Sequence, residues 1–163
     1  MKFNWPDYAL IGFVAMVAAI QFLRSTRDFS RILYESLLLV GAVATASLLL
    51  GPLRGLTGLS APLLFGCVGG VLSVFGIIFS ALFSRLMPFG LGVFNYLFGL
   101  LLAIACAYTL GHLGLRTANL AISPRNHGFN MAVRRSLVAR DLLYFKTFIE
   151  IRAFLRFTRW KGM

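Results

Sequence analysis

Apolar residues gather in four runs, residues 8–23, 32–50, 63–83 and 89–110, of 16, 19, 21 and 22 residues. An α-helix rises about 1.5 Å per residue and a bilayer core is about 30 Å thick, so about 20 apolar residues cross it. The last three runs meet that length. The first would reach only about 24 Å, so it reads either as a short span or as an interfacial or re-entrant helix. Trp5 and Tyr8 at its start suit the headgroup level.

The breaks between runs are polar or rich in turn formers. RSTRDFSR, residues 24–31, carries three arginines. GPLRGLTGLSAP, residues 51–62, holds three glycines and two prolines and is expected to be a loop. SRLMPFG, residues 84–90, is a tight connection containing Pro88.

After residue 115 the pattern changes. Residues 116–130 contain Pro124 and Gly128 and read as a linker, with Asn130 as the N-cap of a following helix. Val133, Leu137, Tyr144, Phe148, Ile151 and Leu155 then recur at spacings of 4, 7, 4, 3 and 4, which place them on one helix face. Arg134, Arg135, Arg152 and Arg156 lie mostly elsewhere. The expected fold is all-α and polytopic. Residues 1–115 form a transmembrane bundle of about four helices, 116–130 a linker, and 131–163 a basic amphipathic helical tail.

Composition supports lipid as the main solvent. The 163 residues are 59% hydrophobic and 13% charged, about half the charge of a soluble domain, and the mean hydropathy is +0.83. The net charge of +11 comes from 16 Lys and Arg against 5 Asp and Glu. With apolar runs already assigned to a membrane, this charge favours anionic lipid over nucleic acid as the partner. Arg24, Arg27, Arg134, Arg135, Arg152 and Arg156 are the candidate headgroup contacts. A second copy of the chain or another membrane protein is the further partner class. The segment MKFNWPD pairs Lys2 with Asp7 and is followed by no strong cleavage signal, so the first helix is expected to be retained.

Small residues form a seam in the third run. Gly66, Gly69, Ser73, Gly76, Ser80 and Ser84 follow one helix face, and small side chains let helix backbones approach closely where no hydrophobic effect drives association. Asn95, Gly99 and Ala103 repeat the device in the fourth run, and Ala15 and Ala19 in the first. All are expected to face the bundle interior, with Asn95 capping a neighbouring helix or bonding across an interface.

Candidate chemistry is sparse. Glu35 follows Arg31 by four residues, the spacing of a helical ion pair at the start of the second run. Cys67 and Cys106 sit in apolar runs without metal-ligand spacing and read as packing residues. His112 and His127 have no acidic neighbour in sequence. No nucleophile with a visible base, phosphate loop, cofactor motif or metal-ligand set stands out, so a non-enzymatic protein without cofactor is expected.

Arginine placement does not orient the bundle cleanly. Four spans put the 24–31 turn and the basic tail on opposite sides, and each carries a claim to the cytoplasm. An odd number of spans would put them together.

A further pattern emerges from NWPDYALIGF, LRSTRDFSRILYESLLLVGAVATA and FNYLFGLLLAIACAY. The order of an early Asp, an arginine-rich turn and a late helix with a polar residue ahead of small ones resembles the colicin V production (CvpA) family. That family's first turn reads like R-G-x-x-R-G-F-x-R-E. Arg24, Arg27, Phe29 and Arg31 match it, whereas Ser25, Asp28 and Ile32 depart from it. The family's later D-R-x-x-G-x-x-x-G corresponds to Asn95, Tyr96, Gly99 and Ala103. The resemblance covers about residues 3–115 and leaves the basic tail unmatched. It implies a bacterial inner-membrane protein linked to colicin V production, and no defined biochemical activity. The expected role is an accessory or scaffold protein, with an oligomeric transporter or channel subunit as the alternative.

Overall fold

The computed structural model describes residues 4–144; the tail from 145 onward, with the expected headgroup contacts Arg152 and Arg156, lies outside the described residues. Regular structure here is entirely helical: α1 (Trp5–Ser25), α2 (Phe29–Thr57), α3 (Ala61–Leu86), a 3-10 turn (Gly92–Phe94), α4 (Asn95–Ile122), α5 (His127–Arg135) and α6 (Leu137–Tyr144). The first four α-helices are long and apolar enough to cross a membrane.

Several boundaries differ from the sequence expectation. The first helix starts at Trp5, with Pro6 in its first turn, where the missing N–H costs nothing. Its 21 residues give about 31 Å, long enough for a full crossing. Most of residues 51–62 is not loop, because α2 runs on through Pro52 to Thr57. It stops at Gly58, whose φ of +65° is the left-handed cap that glycine adopts without strain. Residues 116–122, read as linker, continue α4. The next helix begins at His127 rather than after Asn130, and Asn126 is its cap, accepting the Phe129 N–H.

α4 is the hub, touching α1, α2 and α3, while α2 packs along α3. Where α2, α3 and α4 meet, Val43, Ala46 and Phe65 form a buried cluster with Leu113 against it. The third-run seam lies where expected. Gly69, Ser73, Gly76, Ser80 and Ser84 are buried. A methyl group added at Gly76 would sit 3.1 Å from Leu38 Cβ and 3.6 Å from its carbonyl carbon, so the α2 backbone itself occupies the space. Gly66, partly buried, faces Thr117 of α4 instead.

Gly99 and Ala103 are buried at the hub; a Cβ on Gly99 would meet Ser25 Cβ at 3.0 Å. Ala15 and Ala19 correct the expectation, since both are exposed on the outer face of α1. Val14 instead approaches Gly111 of α4. The outward faces carry Leu37, Val71, Phe75, Ile78, Leu97 and Leu101, all exposed, as helices immersed in lipid would.

The turns gather at two ends. One, the turn end, holds the α1–α2 and α3–α4 connections. There the Ser30 hydroxyl donates to the Phe89 carbonyl at 2.7 Å and accepts its N–H at 2.6 Å, while Tyr34 donates to Met87 O at 3.1 Å. The other, the tail end, holds the start of α1, the α2–α3 connection and α5.

Candidate functional site: buried polar ties and an interhelical groove

Polar side chains concentrate at three places inside the bundle. The first is near the turn end. The α1–α2 turn is centred near Asp28, so residues about seven before and seven after it fall at equal depth. That brings Gln21 and Arg24, on the last two turns of α1, against Glu35 on the second turn of α2. Arg24 grips both carboxylate oxygens, Nη2 to Oε2 at 3.0 Å and Nη1 to Oε1 at 3.2 Å. Gln21 Nε2 donates to Glu35 Oε1 at 2.6 Å, and Gln21 Oε1 accepts from Arg24 at 2.9 Å. Each member bonds the other two. Glu35 is fully buried and Arg24 partly so. Bidentate geometry and an extra amide donor are what make a buried ion pair tolerable at low dielectric.

This corrects the Arg31–Glu35 pair. Glu35 faces α1, and its partner is Arg24. Arg31 takes part in capping instead, its backbone N–H donating to Asp28 Oδ1 at 3.0 Å. Arg24 is likewise not a free headgroup contact, because its guanidinium is committed to Glu35. Arg27, Arg134 and Arg135 are exposed, and Arg134 donates to Asn130 on its own helix. Asn95 does not bond across an interface: it opens α4, and its Oδ1 accepts the Leu91 N–H at 2.7 Å.

The second place is at the tail end. Asp7 is buried, and its Oδ1 accepts from the Ser136 hydroxyl at 2.6 Å and from the Val138 N–H at 2.9 Å. Its Oδ2 accepts the Asn4 N–H at 2.8 Å. Ser136, in extended conformation, ends α5, and its Oγ also accepts the Ala139 N–H of α6 at 2.9 Å. Two side chains thus share the orphan N–H groups at the start of α6, and a carboxylate lies at the positive end of that helix. α5 and α6 are thereby docked onto the bundle, and Val133, Ala139 and Leu142 are buried against it.

The third place is along α4. His112 is buried; its Nδ1 bonds the Leu142 carbonyl at 2.6 Å, and since a carbonyl only accepts, Nδ1 carries the proton. Tyr108 donates to Asp141 of α6 at 2.6 Å. Arg116 donates to Ser47 Oγ at 2.9 Å and stacks over Phe65, 4.7 Å from the ring centroid. Beside these residues a groove of about 420 Å³ runs between α2 and α4, with Leu143 of α6 at its margin.

Among the described residues, no three His, Cys, Asp or Glu side chains stand close enough to hold a metal ion. Cys106 is buried and Cys67 exposed, so only the former packs the interior as expected.

The sequence reading missed Gln21, the Asp7–Ser136 clasp and the docking of His112 and Tyr108 on α6. Gln21 carried a signal: a lone amide in an apolar run, three residues before Arg24 and at the hairpin depth of Glu35. Asp7 and Ser136 lie 129 residues apart, and no local pattern links them. No family model, curated protein or solved structure matches the chain.

Proposed function

We propose that this chain is a multi-pass protein of a bacterial inner membrane, of the colicin V production type, acting as a non-enzymatic accessory or scaffold subunit. Its basic tail-end surface engages anionic lipid or a membrane-protein partner. The observation that carries the reading is the closed Arg24–Glu35–Gln21 knot. Intramembrane charges in transporters and pumps line a path or a water-filled cavity; here each partner of the buried carboxylate comes from the chain's own neighbouring helix. The glycines of the third-run seam likewise pack on α2 and α4, Gly76 on Leu38, Gly69 on Leu113 and Ala46, and Gly66 on Thr117.

Orientation follows from the same geometry. The tail end gathers Arg54, Arg116, Arg125, Arg134 and Arg135, while the turn end holds Arg24, Arg27, Arg31 and Arg85, the first neutralised by Glu35. This excess favours a cytoplasmic tail end. Reporters fused after Asp28 and after Phe129 are expected on opposite sides of the membrane, the second in the cytoplasm; both on one side would contradict four spans. The scaffold role predicts a defined partner copurifying in mild detergent and no ion flux above that of empty liposomes. Flux that disappears in Gly69→Leu would overturn it in favour of an oligomeric pore.

A further inference from the structure

Arg116 is a charged side chain of α4 that none of the ties above neutralises. It lies on α4 six residues before Ile122, about 9 Å along the helix from that end. Its guanidinium is held by a neutral hydroxyl and an aromatic face, and no described carboxylate forms an ion pair with it. Of its five N–H donors, the hydroxyl of Ser47 takes one. A cation at this depth calls for an anion.

The groove beside it runs from Arg116 and Ser47 at the tail end toward Val40 and Ala105, deeper in the bundle. Eleven residues of α4 separate Ala105 from Arg116, about 16 Å of helix. Polarity falls along that length. Arg116 and Ser47 form the upper end, and Val43, Ala44, Val40 and Ala105 line the walls below. His112 and Tyr108 border the groove but bond to α6, which lowers the polarity of the wall. About 420 Å³ falls in the usual range for a bound small molecule.

We propose that this groove is a binding site for an anionic phospholipid of the tail-end leaflet, its phosphate on Arg116 and one acyl chain between α2 and α4. Charge complementarity selects the occupant. A zwitterionic lipid brings its own ammonium beside the phosphate and so leaves the charge of Arg116 uncompensated, and a soluble anion would leave the apolar length of the groove unfilled. Basic pockets between membrane helices recognise lipid headgroups by this chemistry. The proposal requires the four-span bundle but not the scaffold role, so reporter topology and partner capture test those readings separately.

The test uses the full chain in mild detergent, loaded with phosphatidylglycerol or phosphatidylcholine and weighed intact by native mass spectrometry. Wild type is expected to retain phosphatidylglycerol about tenfold better than phosphatidylcholine, whose ammonium offsets the phosphate charge that Arg116 meets. Arg116→Gln should abolish that preference, while Arg125→Gln, outside the groove, should keep it. Ala44→Trp, which fills the groove and leaves Arg116 intact, should reduce retention of both lipids with the melting temperature unchanged; this variant decides the matter if Arg116→Gln fails to fold. Equal retention of the two lipids by wild type, or unchanged retention in Ala44→Trp, would overturn the proposal. Displacement of phosphatidylglycerol by millimolar inorganic phosphate would mark a free-anion site instead. Loss of a dimer in Ala44→Trp with lipid content unchanged would mark a contact between copies of the chain.

Discussion

The α2–α3 interface and the attachment of α1 solve the same problem in opposite ways. In lipid, apolar side chains gain nothing by leaving the solvent, so helices need another reason to associate. α2 and α3 use close approach: small residues line α3, and the Leu38 backbone fills the space at Gly76. α1 packs along α4 through Gly99 and Gly111, but its two ends are fixed by polar ties, Arg24 and Gln21 to Glu35 at one and Asp7 to Ser136 at the other. The seam spreads its stabilisation over many weak contacts. The ties concentrate it in a few groups whose loss leaves a buried polar atom stranded. The seam should therefore degrade gradually under substitution, and the ties abruptly.

The largest expected effect is at the knot. Arg24→Gln leaves the Glu35 carboxylate buried without its cation, and breaking a buried pair from one side costs about 3–5 kcal/mol. Thermal unfolding in detergent should show a lower midpoint than for any of the variants below. Asp7→Ala comes next. It removes the charged acceptor that the Ser136 hydroxyl and the Val138 N–H share at the start of α6, a loss of about 1.5–3 kcal/mol. The loss should be local, appearing as faster protease cleavage between α4 and α6 while the four long helices stay intact.

Gly76→Leu should cost about 1–3 kcal/mol through overpacking against α2. Ala15→Leu sharpens the contrast from the other side. Ala15 is exposed on the outer face of α1, so its replacement should change stability by less than about 0.5 kcal/mol. A large loss there would mean that the Ala15–Ala19 face is a packing surface after all.

The same contrast explains what was legible in the sequence. Helix type and the seam depend on periodicity within one run, and the seam residues Gly69, Ser73, Gly76 and Ser80 could be read from spacing alone. Boundaries were harder. Pro52, Gly51 and Gly55 suggested a loop, yet α2 continues through them to Thr57 although Pro52 has no N–H to offer the Leu48 carbonyl. The ties required knowing which residues meet. Arg31 and Glu35 satisfied the local i, i+4 rule, but that rule ignores the neighbouring helix. Burial of Glu35 against α1 outweighed it, and Arg24 supplied the cation. The Asp7–Ser136 clasp depends on the whole four-helix topology, which brings the start of α1 beside the end of α4. The groove depends on that topology too, since α2 and α4 are not consecutive in the chain.

A double-mutant cycle on Arg24 and Glu35, read as unfolding free energy of the full chain in detergent, tests most directly the claim that internal ties consume the buried charge. The account predicts that Arg24→Gln combined with Glu35→Gln is destabilised by less than the sum of the single variants, with a coupling of about 1–3 kcal/mol. The parallel cycle of Arg31→Gln with Glu35→Gln should be additive. Additive effects at Arg24 and Glu35, or coupling of Glu35 to Arg31 instead, would contradict it.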